Sequence, residues 1–264
     1  MPNAAALLAA YDAQCRGRVP DPLPAGVQVE CDGPLLRFTG FDGGGFVGYR
    51  DLGGIEGDEL DELIARQVRV FAGRGEPFEW KHHGHDRPAD LPERLRAAGF
   101  VPEEQETVVI APVDEVATEP RLPDGVSIRE VSERRDLERI VALEQAVWGH
   151  EETWLADMLE KERAADPDAT VVFVAEAGDL VVCAGWVRFD PGSEFATLWG
   201  GSTLAEWRRQ GIYRALVAER ANLAAARGCR FLEVDASDDS RPILERLGFR
   251  PITTTTPYVW SPAS

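Results

Sequence analysis

The chain is 264 residues long, about 1.8 times a typical domain of roughly 150 residues, and 44% of it is hydrophobic, so it can build one large or two small cores. With 28 basic and 46 acidic residues its formal charge is −18; both halves are acidic and no basic arm exists, which argues against non-specific nucleic-acid binding and anionic membranes as partners. No apolar run nears the roughly 20 residues that span a bilayer, Met1 to Leu8 lacks the basic start of a signal peptide, and Cys15, Cys31, Cys183 and Cys229 form no CxxC pair, so a cytoplasmic protein with reduced thiols and no metal site is expected.

In chain order, Gly43-Gly44-Gly45 reads as a flexible loop between strands. A helix is expected before Gly75, where the segment Gly57 to Gly73 has no Arg-x-x-Gly loop, and Gly75-Glu-Pro-Phe78-Glu79-Trp80 leads into a strand. His82-His83-Gly84-His85-Asp86 has metal-ligand residue types, but on a strand only His83 and His85 share a face, so an interdomain loop is the simpler reading. Asp90-Leu-Pro92-Glu93 has the spacing of a capping box. Ala111 to Gly125, with three prolines and several acids, reads as a linker.

Beyond it lie a strand at 126–130, a helix at 136–147 with Leu137, Ile140, Val141 and Val147 on one face, and a helix at 153–163 with Thr153 as N-cap. Strands follow at 170–176 and 180–189, joined by a tight Ala177-Gly178-Asp179 turn, and at 195–203. The series continues with an Ala-rich helix at 211–227 closed by Gly228, a strand at 231–236, a short helix at 240–247 and a strand at 252–260. The pattern is α+β with a mostly antiparallel sheet. The block Leu95-Arg-Ala-Ala-Gly99-Phe100-Val-Pro102 repeats as Leu244-Glu-Arg-Leu-Gly248-Phe249-Arg-Pro251, and Gly75 to Trp80 parallels Gly228 to Glu233. A duplicated domain is therefore expected: 1–112, a linker at 113–125, and 126–264.

The segment Trp199-Gly200-Gly201-Ser202-Thr203-Leu204-Ala-Glu-Trp-Arg208-Arg209-Gln210-Gly211-Ile212-Tyr213-Arg214 places a basic, Gly-containing loop between a strand and a helix. A helix start offers unpaired N–H groups and positive dipole, so a phosphate or pyrophosphate fits there. Gly211 permits close backbone approach. The loop is neither a Walker loop nor G-x-G-x-x-G.

Arg208-Arg209-Gln210-Gly211-Ile212-Tyr213 resembles the acetyl-CoA motif Arg/Gln-x-x-Gly-x-Gly/Ala of the GNAT superfamily of N-acetyltransferases, departing from it at Tyr213. Leu247-Gly248-Phe249 and the element order extend the resemblance over about 126–260. It implies two tandem GNAT-like domains, each a mostly antiparallel sheet flanked by helices, the first diverged and without a cofactor loop. It implies acetyl-CoA as co-substrate, held by Arg208, by N–H groups of Arg209, Gln210, Gly211, Ile212, Tyr213 and Arg214, and by the strand end Ser202, Thr203, Leu204. A β-bulge is expected at Gly200-Gly201. The implied reaction is direct attack of a small molecule's amine on the thioester in a ternary complex.

The family's usual acid, a tyrosine, falls on Leu244. Ser240 stands nearby as either an acid or a helix N-cap, and Tyr258 is a weaker alternative. Glu194 is the base candidate, with a solvated turn residue as the other reading; His150 is a further base candidate. Trp148 and Glu151, between two helices, either wall the acceptor site by cation–π and charge contacts or cap a turn. A non-catalytic acyl-CoA sensor or scaffold is the alternative function, and a homodimer contact is a further expectation for the first domain.

Overall fold

The computed structural model describes residues 3–20, 23–24, 26–41, 43–149 and 153–262. It contains two compact units that interleave in sequence. One comprises Met1–Val109, Asp235–Arg241 and Pro251–Ser264; the other comprises Ile110–Val234 and Pro242–Arg250. The contiguous division read from the sequence differs from this at two strands: 251–264 groups with the first unit and 110–112 with the second.

The first unit opens with α1 (Ala4–Gln14), capped by the Asn3 side chain on the Ala6 N–H at 2.9 Å. Then come β1 (Gln28–Asp32), β2 (Leu35–Phe41), β3 (Gly44–Gly48), α2 (Gly57–Arg74) and β4 (Phe78–His83). β1, β2 and β3 form an antiparallel meander. Through the α2 crossover, β3 pairs parallel with β4, Gly45–Val47 opposite Phe78–Trp80. α3 (Leu91–Ala97), β5 (Val101–Pro102) and β6 (Glu106–Pro112) follow, and the late strand β12 (Arg250–Trp260) runs antiparallel beside β4, from Thr255↔His83 to Trp260↔Phe78.

Three expectations change here. The glycine run is not a free loop: Gly44 and Gly45 belong to β3, and a Cβ on Gly45 would lie 1.9 Å from the Phe71 ring on α2. Asp90 makes no side-chain cap; its carboxylate takes Arg94 at 2.8 Å instead. His82 and His83 lie in β4, and His83 and His85 join a buried network rather than an interdomain loop. There Tyr49 and Arg16 both bond Asp86, at 2.6 and 2.7 Å, and burial pushes His83 down to about 2.

The second unit takes the end of β6, α4 (Val113–Val116), β7 (Val126–Val131), α5 (Arg134–Trp148), α6 (Thr153–Ala165), β8 (Thr170–Ala177), β9 (Leu180–Phe189), β10 (Phe195–Thr203), α7 (Ile212–Ala226), β11 (Phe231–Ala236) as far as Val234, and α8 (Arg241–Arg246) from Pro242 on. The expected linker is shorter than read, because Val113 and Val116 are buried in α4. β7 to β10 form an antiparallel meander, and through α7 the chain enters β11 parallel to β10. The apolar stripe of α5, Leu137, Ile140 and Leu143, packs with Leu155 and Leu159 of α6 on Val172, Val174 and Trp186. The two units thus repeat one plan: antiparallel meander, helix crossover, parallel strand. The fold is α+β, with a mostly antiparallel sheet flanked by helices.

Candidate active site

The site begins where two strands part. β10 pairs with β11 only at Phe195–Thr197 opposite Phe231–Glu233. On its other side β10 stays with β9, but the register shifts between Gly200 and Ser202, so Gly201 is the extra residue of a bulge. Gly200 and Gly201 have φ of 68° and 106°, a region that favours glycine.

The chain then enters α7 by a left-handed step. Gly211 caps the helix at φ 84° with no side-chain cap, and no acidic residue occupies the first turn. Among the described residues Arg209, at φ 61°, is the only non-glycine with positive φ. Such a conformation is strained and recurs at functional sites. The Arg208 side chain turns back onto the Thr203 carbonyl at 3.0 Å, tying the loop to the end of β10. The orphan N–H groups and dipole of the helix start, with Arg209 and Arg214 beside it, suit an anionic group.

Tyr213, the departure from the motif, is accommodated by the bulge: a Cβ on Gly201 would meet its ring at 2.6 Å. Behind it lies Arg220, a residue missed in the sequence, 1% exposed. Its guanidinium donates to the carbonyls of Trp186, Trp199 and Leu216 at 3.2, 3.0 and 3.2 Å. Burial lowers its pKa. It therefore pins the carbonyl just before the bulge with a charged donor. The available signal was its place on the buried stripe Leu216, Val217, Ala221, Ala224.

A second missed residue, Glu144 on α5, accepts from Ser202 Oγ at 2.6 Å and from Trp148 Nε1 at 2.8 Å. Trp148 Nε1 also meets Ser202 Oγ at 2.9 Å, while the residue stays 55% exposed. Trp148 and Ser202 are thus brought together. Trp199, also exposed, carries the Arg188 guanidinium 4.5 Å above its ring. His150, Glu151 and the Thr153 side chain lie outside what is described.

Other expected residues take structural partners. Glu194 precedes β10 at the end where it stays paired with β11, and its carboxylate meets Arg230 at 2.6 Å. No bulge falls between Glu194 and Thr197, so alternation keeps them on opposite faces. Ser240 bonds Ser237 through its hydroxyl and N–H, both at 3.3 Å, as a turn residue before α8; it groups with the first unit and the arginine loop with the second. Leu244 is fully buried.

The acetyltransferase (GNAT) family model matches residues 135–249, which contain the parted strands, the bulge and the arginine loop. Residues 135–249 are thus similar to this family. Acyl transfer is the activity class that this family carries. A GCN5-related N-acetyltransferase from Kribbella flavida is similar over 99% of this chain and 95% of its own, with TM-score 0.67 and 16% identity. A tandem GNAT protein from the clavulanic acid biosynthesis pathway is similar over 91% of this chain and 86% of its own, with TM-score 0.61 and 13% identity. At these identities the likeness establishes the fold. No curated protein matches the sequence. Among the described residues no helix is long and apolar enough to cross a membrane.

Proposed function

We propose that the second unit, which holds most of residues 126–264, is the catalytic part of an N-acetyltransferase that uses acetyl-CoA and a small primary amine, with the first unit, which holds most of 1–112, a diverged domain lacking the cofactor loop and the segment between α4 and β7 the linker. The start of α7 carries this reading: an uncapped helix with Gly211 in the left-handed region and arginines before and within its first turn. The residues fit a diphosphate, since acids are absent from that turn and the N–H groups of Arg209 to Arg214 have no side-chain cap. Ser202 and Thr203 at the end of β10, with Leu204 just after it, border the pantetheine arm, where β10 has left β11. When bound, acetyl-CoA supplies an acyl carbon activated as a thioester. The bulge at Gly201, fixed through Arg220 and the Trp199 carbonyl, is suited to present main-chain N–H groups where negative charge develops.

Trp148, held by Glu144 and Ser202, offers an aromatic face to the ammonium form of an approaching amine. Glu194 and Ser240 receive no proton step here, because their polar atoms engage Arg230 and Ser237. Leu244 leaves the departing thiolate without the family's tyrosine.

The test is twofold. Acetyl-CoA at about 100 times its Kd stabilises the fold by roughly 2.7 kcal/mol, a melting shift of about 5–10 °C. No shift at millimolar CoA sinks the reading. Thiol release on a panel of amines then separates an enzyme from an acyl-CoA sensor, the second reading that the buried Leu244 favours. Binding without turnover on any amine selects the sensor.

A further inference from the structure

A groove of about 360 Å³ lies in the second unit along the flank of α7. Arg214, Ala215 and Ala218 line it from the first two turns of that helix, Arg121 from the segment before β7, and Arg246 from the end of α8. Among the described residues these three arginines make no side-chain hydrogen bond or ion pair. Other arginines of the unit are tied to carboxylates, as Arg129 is to Asp136 and Glu176 and Arg188 to Glu162, or to main-chain carbonyls, as Arg208 and Arg220 are. Two acids share the groove. Glu115 is neutralised by Arg250, which reaches both its oxygens at 2.9 and 3.0 Å, and Glu119 stands alone. Three unpaired guanidiniums against one unpaired carboxylate, beside the positive end of α7, form a local excess of positive charge in a chain of net charge −18.

The groove also adjoins the cap. A Cβ on Gly211 would lie 3.8 Å from the Arg121 carbonyl, so the segment carrying Arg121 passes beside the loop assigned to the diphosphate. We propose that Arg121, Arg214 and Arg246 form a second anion site that takes a phosphate monoester, distinct from the main-chain site at the start of α7. Planar guanidiniums suit the oxygens of such a dianion. Resting on the acyl-CoA reading above, its occupant is the ribose 3′-phosphate of the same ligand; the other source of this chemistry is a free nucleotide phosphate.

The test measures calorimetric affinity of the full chain for CoA, 3′-dephospho-CoA and adenosine 3′,5′-bisphosphate, in wild type and in Arg121→Ala/Arg246→Ala. Both substituted residues are exposed, and a melting curve of the variant checks its fold. The expected result is tenfold or greater preference of wild type for CoA over dephospho-CoA, weakening with salt and absent in the variant, whose affinity for dephospho-CoA changes less than twofold. If neither coenzyme form binds but the bisphosphate binds wild type and not the variant, the phosphate site stands and the acyl-CoA reading falls. Equal affinity of wild type for CoA and dephospho-CoA overturns the site, as does a preference that survives in the variant. Binding of none of the three overturns both readings.

Discussion

α2 and α7 occupy the same place in the repeated plan, each crossing from an antiparallel meander to a parallel strand, yet their first turns carry opposite charge. α2 follows Glu56 and has Asp58 and Glu59 in its first turn. α7 follows Arg208 and Arg209 and has no acid there. Carboxylates at a helix start satisfy the dipole from within, and so remove the need for an outside anion and repel one. The strands before them differ in the same sense. In the first unit the Phe71 ring covers Gly45, whereas in the second a bulge at Gly201 is held by Tyr213 and Arg220. One helix start is satisfied by its own acids; the other is the one that the proposed function assigns to an anionic ligand.

The largest expected effect breaks the open side. Arg208→Glu/Arg209→Glu copies the acidic start of α2 onto α7, and the CoA-induced melting shift of about 5–10 °C should vanish. Persistence of the shift misplaces the diphosphate site. Arg220→Ala leaves two strand carbonyls without their donor and opens a cavity; urea titration should show a loss of about 2–4 kcal/mol, together with weaker CoA binding. Gly45→Ala tests the closed side. Its Cβ would lie inside the Phe71 ring contact, so about 1–3 kcal/mol of stability should go, with CoA affinity unchanged.

The smallest effect concerns Glu106 in the first unit. Burial, followed by the charge of Asp235, pushes its pKa up to about 7 from 4.5, against the pull of Lys81. The folded chain thus keeps a proton that the unfolded chain has lost. Stability is full below about pH 4.5 and declines as pH rises through about 7. Glu106→Gln should flatten that slope, raising stability at pH 8 by about 1 kcal/mol and leaving it unchanged at pH 4. Equal slopes in the two proteins would remove Glu106 as the titrating group.

Much of this was legible locally. Turn glycines and alternation placed β9, β10 and β11, and the arginine loop announced the start of α7. Bulge and duplication were also readable, from a glycine pair and a repeated Leu-x-x-x-Gly-Phe. What stayed hidden depends on distant partners. The burial of Arg220 and Glu144 requires knowing which carbonyls and hydroxyls the fold brings to them. Gly45 looks like a loop until Phe71, on the next helix, is set against it. The pairing of β12 with β4 has no local signature at all, since an antiparallel strand after a Gly-Phe turn reads the same whichever sheet receives it.

That pairing has a consequence for how the chain is made. β4 is synthesised early, and its antiparallel neighbour emerges more than 160 residues later (from His83 to Arg250). A ribosome that has finished the N-terminal half has not yet delivered the strand that covers this edge, so the earliest-made unit should be among the last to acquire protection from amide exchange. Cutting the gene between the two repeats would leave the first product with an unpaired strand edge, a template for aggregation.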